Sequence, residues 1–598
     1  MKANSVWGIC LCAVLLAAAA VVPAARGQQG IADIPPEVLA YPDTILFNGK
    51  ILTADEKFTV VQAIAVRDGK FLAVGTNDRI LKMAGPATQK MDLRGASVVP
   101  GFIDTHDHLG DYVIRYMFLE DRGVKFEGEM VNASISWKDR EAALRDIERY
   151  VKATPPGELV QFSIWNGSRL FRQWKVTRED LDRIAPNNPL VLRTNILPPF
   201  AVNTAMLKWA EIPSDMRGAP SPADIFVSGA AVRQLEERLR WAVPMPKLEE
   251  WHRKIMQRVN SWGLTLVETR IRPESFSALR EIWVKGQMTV RWRVAFPGSV
   301  DIPRTGNLTD IGDDLLRITG ASAGGNVPGD PAAAGFWMFD PPLNPIPPEQ
   351  QASDGEGGGG NPQEWLARWP QTRQAMIEAW RYGWSIPNTH VNGDRAAFEF
   401  LRAVEEARGN PVVPTTRQRF TIDHNPVVRP EDMKKMKDLG VIPSVVPRQL
   451  FSAAYAEELI PVFGVDRLSS RFITMRSFLD AGIRPTIEAD SGHPVDGRPL
   501  WKIEKIVSRK DDLGRVWGPD QKVTRQQALW MNTSWAAVAT GDEKTLGTIE
   551  PGKLADLVVL GGDYLTVPED QLSELPIRMT LVDGRIVYEA IASGGMRR

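Results

Sequence analysis

The chain has 598 residues, 43% of them hydrophobic, and a formal net charge of -1. That length exceeds one simple domain and allows a large buried core. The near-neutral balance leaves no basic excess to neutralise phosphates, which argues against nucleic acid as a partner.

Residues 1–27 read as a signal peptide. Lys2 gives a short positive start, Val6 to Val22 is almost wholly apolar, and Ala25 and Gly27 offer the small residues a signal peptidase prefers. The apolar run is short for a membrane anchor. Cleavage there predicts an exported chain, periplasmic or secreted, with no stable membrane span. Both cysteines, Cys10 and Cys12, fall inside this segment. The mature chain then has no thiolate, so any metal must be held by His, Asp, Glu or a modified Lys.

Residues 43–97 predict short strands joined by hairpin turns: Thr44–Phe47 before Asn48-Gly49, Ala63–Val66 before Asp68-Gly69, and Phe71–Val74 before Gly75. The far end, 541–590, has the same texture, with Leu554–Leu560, Met579–Val582, Asp583-Gly584 and Arg585–Tyr588. Two β-rich ends around an αβ middle suggest one small composite β domain. The middle, 98–540, alternates strands with helices. Strands are expected at Val98–Thr105, Leu264–Glu268, Val290–Phe296, Leu315–Thr319, Ser385–His390, Arg419–His424, Val441–Val446 and Arg484–Ala489. Helices such as Leu248–Trp262, Glu364–Tyr382, Ala396–Ala407 and Pro430–Leu439 fall between them. Eight such units predict an α/β fold of the (β/α)8 TIM-barrel type. A doubly wound open sheet fits less well, because no Gly-rich phosphate turn follows the first strand. Residues 110–245 are too long for a barrel loop and are expected to form a cap. Residues 320–363, rich in Gly and Pro pairs, are expected to be a long loop near the substrate.

The stretch Pro100-Gly-Phe-Ile-Asp-Thr-His-Asp-His108 carries the chemistry. Side chains two apart on a strand share a face, so His106 and His108 project together, as two ligands of one divalent ion would. Six histidines are present in all. His390 and His424 each close a predicted strand, and Asp490 closes another. In a barrel these ends converge, giving His106, His108, His390 and Asp490 as metal ligands, with His424 a further candidate. Asp490 is placed to take a proton from a metal-bound water and pass it on. His424 would orient that water or stabilise an oxyanion, unless it holds a second metal. His493 is either a substrate contact at the mouth or a turn residue. His252, in Glu249-Glu-Trp-His-Arg-Lys254, reads as a solvated helix position. Of the nineteen tryptophans, Trp165, Trp174, Trp337 and Trp384 fall in cap, loop or mouth regions; ordinary core packing is expected for most of them, and Trp165 is the candidate wall of an aromatic substrate pocket.

These pieces resemble the amidohydrolase superfamily, in the branch related to N-substituted formamide deformylase. The likeness rests on Pro100–His108, Leu181-Asp182 with Pro189–Arg193, Val391-Asn-Gly-Asp-Arg-Ala396, Asp423-His424, Asp490 and Gly552-Lys-Leu-Ala-Asp-Leu-Val-Val559, and runs from about 43 to 590. It implies a metal-dependent (β/α)8 barrel with a small β-sandwich built from both chain ends. It also implies hydrolysis of an amide-like C–N bond in a small-molecule substrate. Two departures stand out. The branch often carries a strand-four lysine that, once carboxylated, bridges two metals. Here Leu315-Leu-Arg-Ile-Thr319 puts Arg317 in that place. A guanidinium cannot be carboxylated, so one ion, zinc by preference, is expected rather than two. Arg317 would then contact substrate or neutralise the inward carboxylates Asp104 and Glu488, and Glu268 either reaches the site or forms a structural ion pair. The second departure is Asn195-Ile-Leu-Pro198, where relatives often have a cap histidine. Deamination of a cyclic amidine and an exported binding protein that has lost catalysis are the rival readings. A homo-oligomer is left open.

Overall fold

The computed structural model describes residues 41–590, apart from short segments at 132–133, 165–166, 195–199, 222–223, 298–305, 323–326, 348–361, 388, 414–417, 425–426 and 491–496. The signal-peptide expectation for residues 1–27 therefore lies outside the described residues. All that follows concerns the unit that begins at Pro42.

Eight parallel strands organise the middle of the chain: β1 (Phe102–Asp107), β2 (Leu264–Arg270), β3 (Arg291–Pro297), β4 (Leu316–Ser322), β5 (His390–Val391), β6 (Phe420–His424), β7 (Val441–Val445) and β8 (Thr486–Ile487). The first four form one sheet and the last four another, each with sequential neighbours paired. Main-chain hydrogen bonds also join the two sheets. Ala321 on β4 donates to Ser385 O, ahead of β5, at 3.1 Å, and Asp490, beyond β8, donates to His106 O on β1 at 3.0 Å. Helices follow the strands, including Pro273–Val284 after β2, Asp394–Gly409 after β5 and Pro430–Asp438 after β6. Every residue of β1 is buried, as expected of a parallel strand covered on both faces.

The apolar run predicts one strand over Val98–Thr105. The structure breaks it at Gly101, whose backbone passes so close to β2 that a Cβ there would collide with the Thr265 side chain. Ser97–Pro100 instead joins a six-stranded mixed sheet built from both chain ends, where Val98 pairs with Val559 and Pro100 with Leu557. A four-stranded sheet spans Thr44 to Asp92. The two share a core of Leu46, Ile64 and Val66 from one and Ile51, Val98, Leu557 and Leu581 from the other. The Asp68-Gly69 and Asp583-Gly584 turns have positive φ at both residues, the backbone that a two-residue hairpin requires. Asp556 of the Gly-Lys-Leu-Ala-Asp motif takes two 2.8 Å hydrogen bonds from buried Arg291 at the start of β3. That motif thus ties the end sheet to the parallel strands.

Between β1 and β2 the chain builds a separate six-stranded sheet, from Glu129–Val131 to Phe226–Val227, with its own helices and hydrophobic core. Between β4 and β5, the described part of the long loop is strapped to β5 and the residues that follow it. Val327 N bonds His390 O at 3.0 Å, Trp337 N bonds Asn392 O at 2.9 Å, and Phe339 N bonds Asp394 Oδ1 at 2.9 Å. Gly393 makes the close approach, with φ of 103° and no room for a Cβ against the Trp337 carbonyl.

Candidate metal centre

The four strand ends singled out by the sequence do converge. His106 Nε2 lies 3.0 Å from His390 Nε2 and 3.2 Å from Asp490 Oδ1. His108 Nε2 lies 3.2 Å from His390 Nε2 and 3.1 Å from the same Asp490 oxygen. Only His106 is on the strand proper. His108 stands one residue past β1, at the N-cap of the helix Leu109–Glu120, and the two rings meet edge to face at 4.8 Å. Donors on one ion with bonds of about 2.0–2.1 Å are spaced about 2.8–3.0 Å apart at right angles and about 3.3–3.4 Å apart at the tetrahedral angle. The four observed spacings fall between those limits.

His424 completes the group. One donor atom each from His106, His390, His424 and Asp490 lies within 4.8 Å of the others, all four residues buried. Its Nδ1 is held by Glu488 Oε1 at 2.7 Å, which aims Nε2 toward Asp490 Oδ2 at 3.7 Å. His424 and Asp490 both sit in the left-handed backbone region, φ 67° and 59°. That conformation is unusual for residues other than glycine and tends to occur where a site imposes it.

The protonation states suit metal binding, which requires neutral imidazole and ionised carboxylate. Burial pushes His108 down to about 3. Burial, then the Arg270 charge and the neighbouring imidazoles, hold His390 well below its usual value. For Asp490 burial works in the opposite direction. It is outweighed by His424, by Arg448 and by hydrogen bonds from His106 and His108, so the carboxylate stays ionised. The donor set fits a divalent ion.

Several further groups surround the donors. Asp423 Oδ2 lies 3.3 Å from His106 Nδ1, the position of a carboxylate that orients a ligating imidazole. Burial, reinforced by Glu488 and Glu268, raises Asp423 well above the usual carboxylate range. Arg448, itself buried, contacts Asp490 Oδ2, and the Arg270 guanidinium lies against His390 Nε2. Asp104 is paired with Lys502 at 2.7 Å, both fully buried. The pair Asp423-His424 stood in the sequence, but nothing local marks Lys502, Arg270 or Arg448.

Other expectations require correction. Arg317 is not brought to this cluster. It pairs with Asp542 at 3.0 Å and donates to Thr540 O at 2.9 Å, beside Arg293, which grips the same carboxylate. Lys502 and His424, not Arg317, partner Asp104 and Glu488. His252 is not solvated. It is fully buried, with Nδ1 2.8 Å from Leu248 O, and burial lowers it to about 4. Trp384 is core and Trp174 packs on the cap core at 6.2 Å from Phe171, the ordinary packing expected of most of these tryptophans and no correction. Glu268 is buried, its Oε2 without a hydrogen-bond partner among the described residues. Trp165, His493 and Asn195–Pro198 lie outside the described residues.

Residues 89–588 match the family described as "Amidohydrolase family", and the chain belongs to it. N-substituted formamide deformylase of Arthrobacter pascens is 26% identical over 92% of this chain and 99% of its own length. Putative amidohydrolase YtcJ of Bacillus subtilis is 24% identical over 91% and 99%. Among solved structures, an uncharacterized metal-dependent hydrolase from Pyrococcus furiosus superposes with a TM-score of 0.65 at 20% identity, covering 88% of this chain and all of its own. The protein is a hydrolase acting on carbon–nitrogen bonds other than peptide bonds.

Proposed function

We propose that the chain hydrolyses an N-acyl or N-formyl amide of a small molecule, using one divalent ion, zinc by preference, held by His106, His108, His390 and Asp490. The observation that carries this reading is the convergence of three imidazole nitrogens and one carboxylate oxygen at 3.0–3.2 Å. The full-length likeness to a formamide deformylase supports the bond type. One ion is favoured over two because the guanidinium of Arg317 cannot be carboxylated into a bridging ligand, and it is engaged by Asp542.

When bound, such an ion acidifies water and polarises a carbonyl oxygen. The chain's own groups do the rest. Asp490 takes the proton of the attacking water and returns it to the leaving amine. Its low pKa keeps it ionised, so the proton is passed on rather than kept. His424, fixed by Glu488, orients the water or meets the developing oxyanion. Arg448 holds the second Asp490 oxygen in place.

The same reading includes closure of the eight strands into a (β/α)8 barrel, supported by the hydrogen bonds from Ala321 to Ser385 and from Asp490 to His106. It includes a sandwich of the two end sheets, supported by their common core. Export rests on Lys2 and the apolar run of residues 6–22. Among the described residues no helix is long and apolar enough to cross a membrane.

The test is metal analysis of the purified protein together with product analysis on N-formyl and N-acyl amines. One equivalent of metal, with carboxylic acid and amine released together, is expected. The variant His106→Ala/His108→Ala is expected to lose both metal and turnover. A wild-type protein that binds no divalent metal, or one that releases only ammonia from cyclic amidines, would overturn the proposal.

A further inference from the structure

Lys502 lies on the helix Pro499–Ser508, beyond β8, and is buried along the apolar seam with Leu500, Trp501, Ile503 and Ile506. A lysine is seldom fully buried unless paired. Its partner is Asp104, 398 positions away in sequence, with Nζ 2.7 Å from Oδ2 and neither side chain exposed. The other Asp104 oxygen is also engaged. Oδ1 accepts the His106 main-chain N–H at 3.3 Å and the Ala489 main-chain N–H at 3.1 Å. Those two residues are the first imidazole of the metal cluster and the neighbour of its carboxylate, Asp490. One carboxylate therefore bonds to the main chain at both places where the first and last ligands leave the fold. An anion in that position has to be compensated by a nearby cation, and Lys502 is the residue in contact with it.

We propose that Lys502 is a positioning residue for the metal centre. By holding the Asp104 carboxyl group in place, it locks the backbone of His106 to that of Ala489–Asp490, so that the two ligand-bearing segments keep their spacing when the site is empty as well as when it is loaded. The geometry supports this independently of charge. The Asp490 N to His106 O bond joins the same two segments, and the Asp104 carboxylate braces that joint through a second pair of main-chain bonds. Lys502 touches none of the ligating atoms and acts only through Asp104. This inference rests on the reading that the cluster holds a metal.

The test measures metal affinity, by chelator competition, on folded wild type, Lys502→Met and the double variant Asp104→Asn/Lys502→Met. Loss of a group that orients metal ligands typically costs about 10–100-fold in metal affinity. Lys502→Met, with folding verified by circular dichroism, is expected to bind Co2+ at least about tenfold more weakly than wild type, with an altered visible absorption spectrum reporting the changed ligand spacing. The double variant is expected to recover to within about threefold, because the amide introduced by Asp104→Asn keeps an acceptor oxygen for both main-chain N–H groups without the unpaired charge. A merely structural lysine would lower thermal stability and leave the affinity and Co2+ spectrum of the folded protein unchanged. Folded Lys502→Met that binds Co2+ as wild type does would therefore overturn the proposal. If Lys502→Met does not fold, the double variant alone decides: wild-type-like affinity supports the compensation, and a loss of about tenfold refutes it. Absence of Co2+ binding by wild type would refute the metal reading instead, and is distinguishable because it does not depend on Lys502.

Discussion

Glu268→Gln is expected to stabilise the metal-free protein at neutral pH while leaving it unchanged in acid. Glu268 closes the inner part of β2 and is 1% exposed. Burial, the dominant influence, raises its pKa from 4.5 to about 7; the nearby Thr319 hydroxyl and the charges of Arg419 and Arg317 pull it partly back, while Asp542 pushes it further up. A carboxyl whose pKa is raised in the fold binds more protons folded than unfolded between the two values. Its contribution to stability is therefore complete below about 4.5, declines as pH rises, and is gone by about 7. The interval corresponds to about 3 kcal/mol. Glutamine keeps the shape and cannot ionise, so Glu268→Gln and wild type should match near pH 4.5 and separate by about 3 kcal/mol at about pH 8, the variant being the more stable. Urea unfolding of chelator-treated protein at the two pH values measures it. A variant that is equally or less stable than wild type at the higher pH would refute the assignment of a buried, charge-bearing Glu268, as would a difference that does not change with pH.

His252 should behave in the opposite sense. Its folded pKa of about 4 lies below the ordinary 6.5, so stability is present above about 6.5 and is lost as pH falls toward 4, by about 3 kcal/mol. His252→Leu should lose less between about pH 7 and about pH 4.5, read as the urea midpoint. Gly393→Ala should destabilise the fold by about 2 kcal/mol or more, since alanine must adopt φ near 103° and collide with the Trp337 carbonyl. Limited proteolysis should then cut near Trp337 sooner than in wild type, and unchanged cleavage would mean that the strap does not hold the loop.

The metal cluster was readable because its signals are local. A His-x-His pair at a strand end declares itself within one short stretch, and His390, His424 and Asp490 each close a short apolar run. The hairpin turns were equally readable, since Asp-Gly pairs fix the backbone where they stand. Two misreadings have simple causes. His252 sits in a charged run, yet Leu248, Ile255, Met256 and Val259 lie at helical spacing from it and are buried with it, so periodicity rather than neighbouring charge located it. The run Val98–Thr105 looked like one strand because burial, not strand identity, determines apolarity; the break follows from Gly101 passing against Thr265.

What the sequence by itself determined is which imidazoles and which carboxylate stand at the ends of the parallel strands. What only the tertiary structure decided is who supports those donors. Asp104 with Lys502, His106 with Asp423, His424 with Glu488 and Asp490 with Arg448 are pairs formed between separate elements of the chain. Arg317 shows the same limit from the other side, since its partner Asp542 could not be read from position on a strand. A charge buried in a low-dielectric interior needs an opposite charge in contact, but that requirement names no partner. The packing of helices against strand ends chooses it.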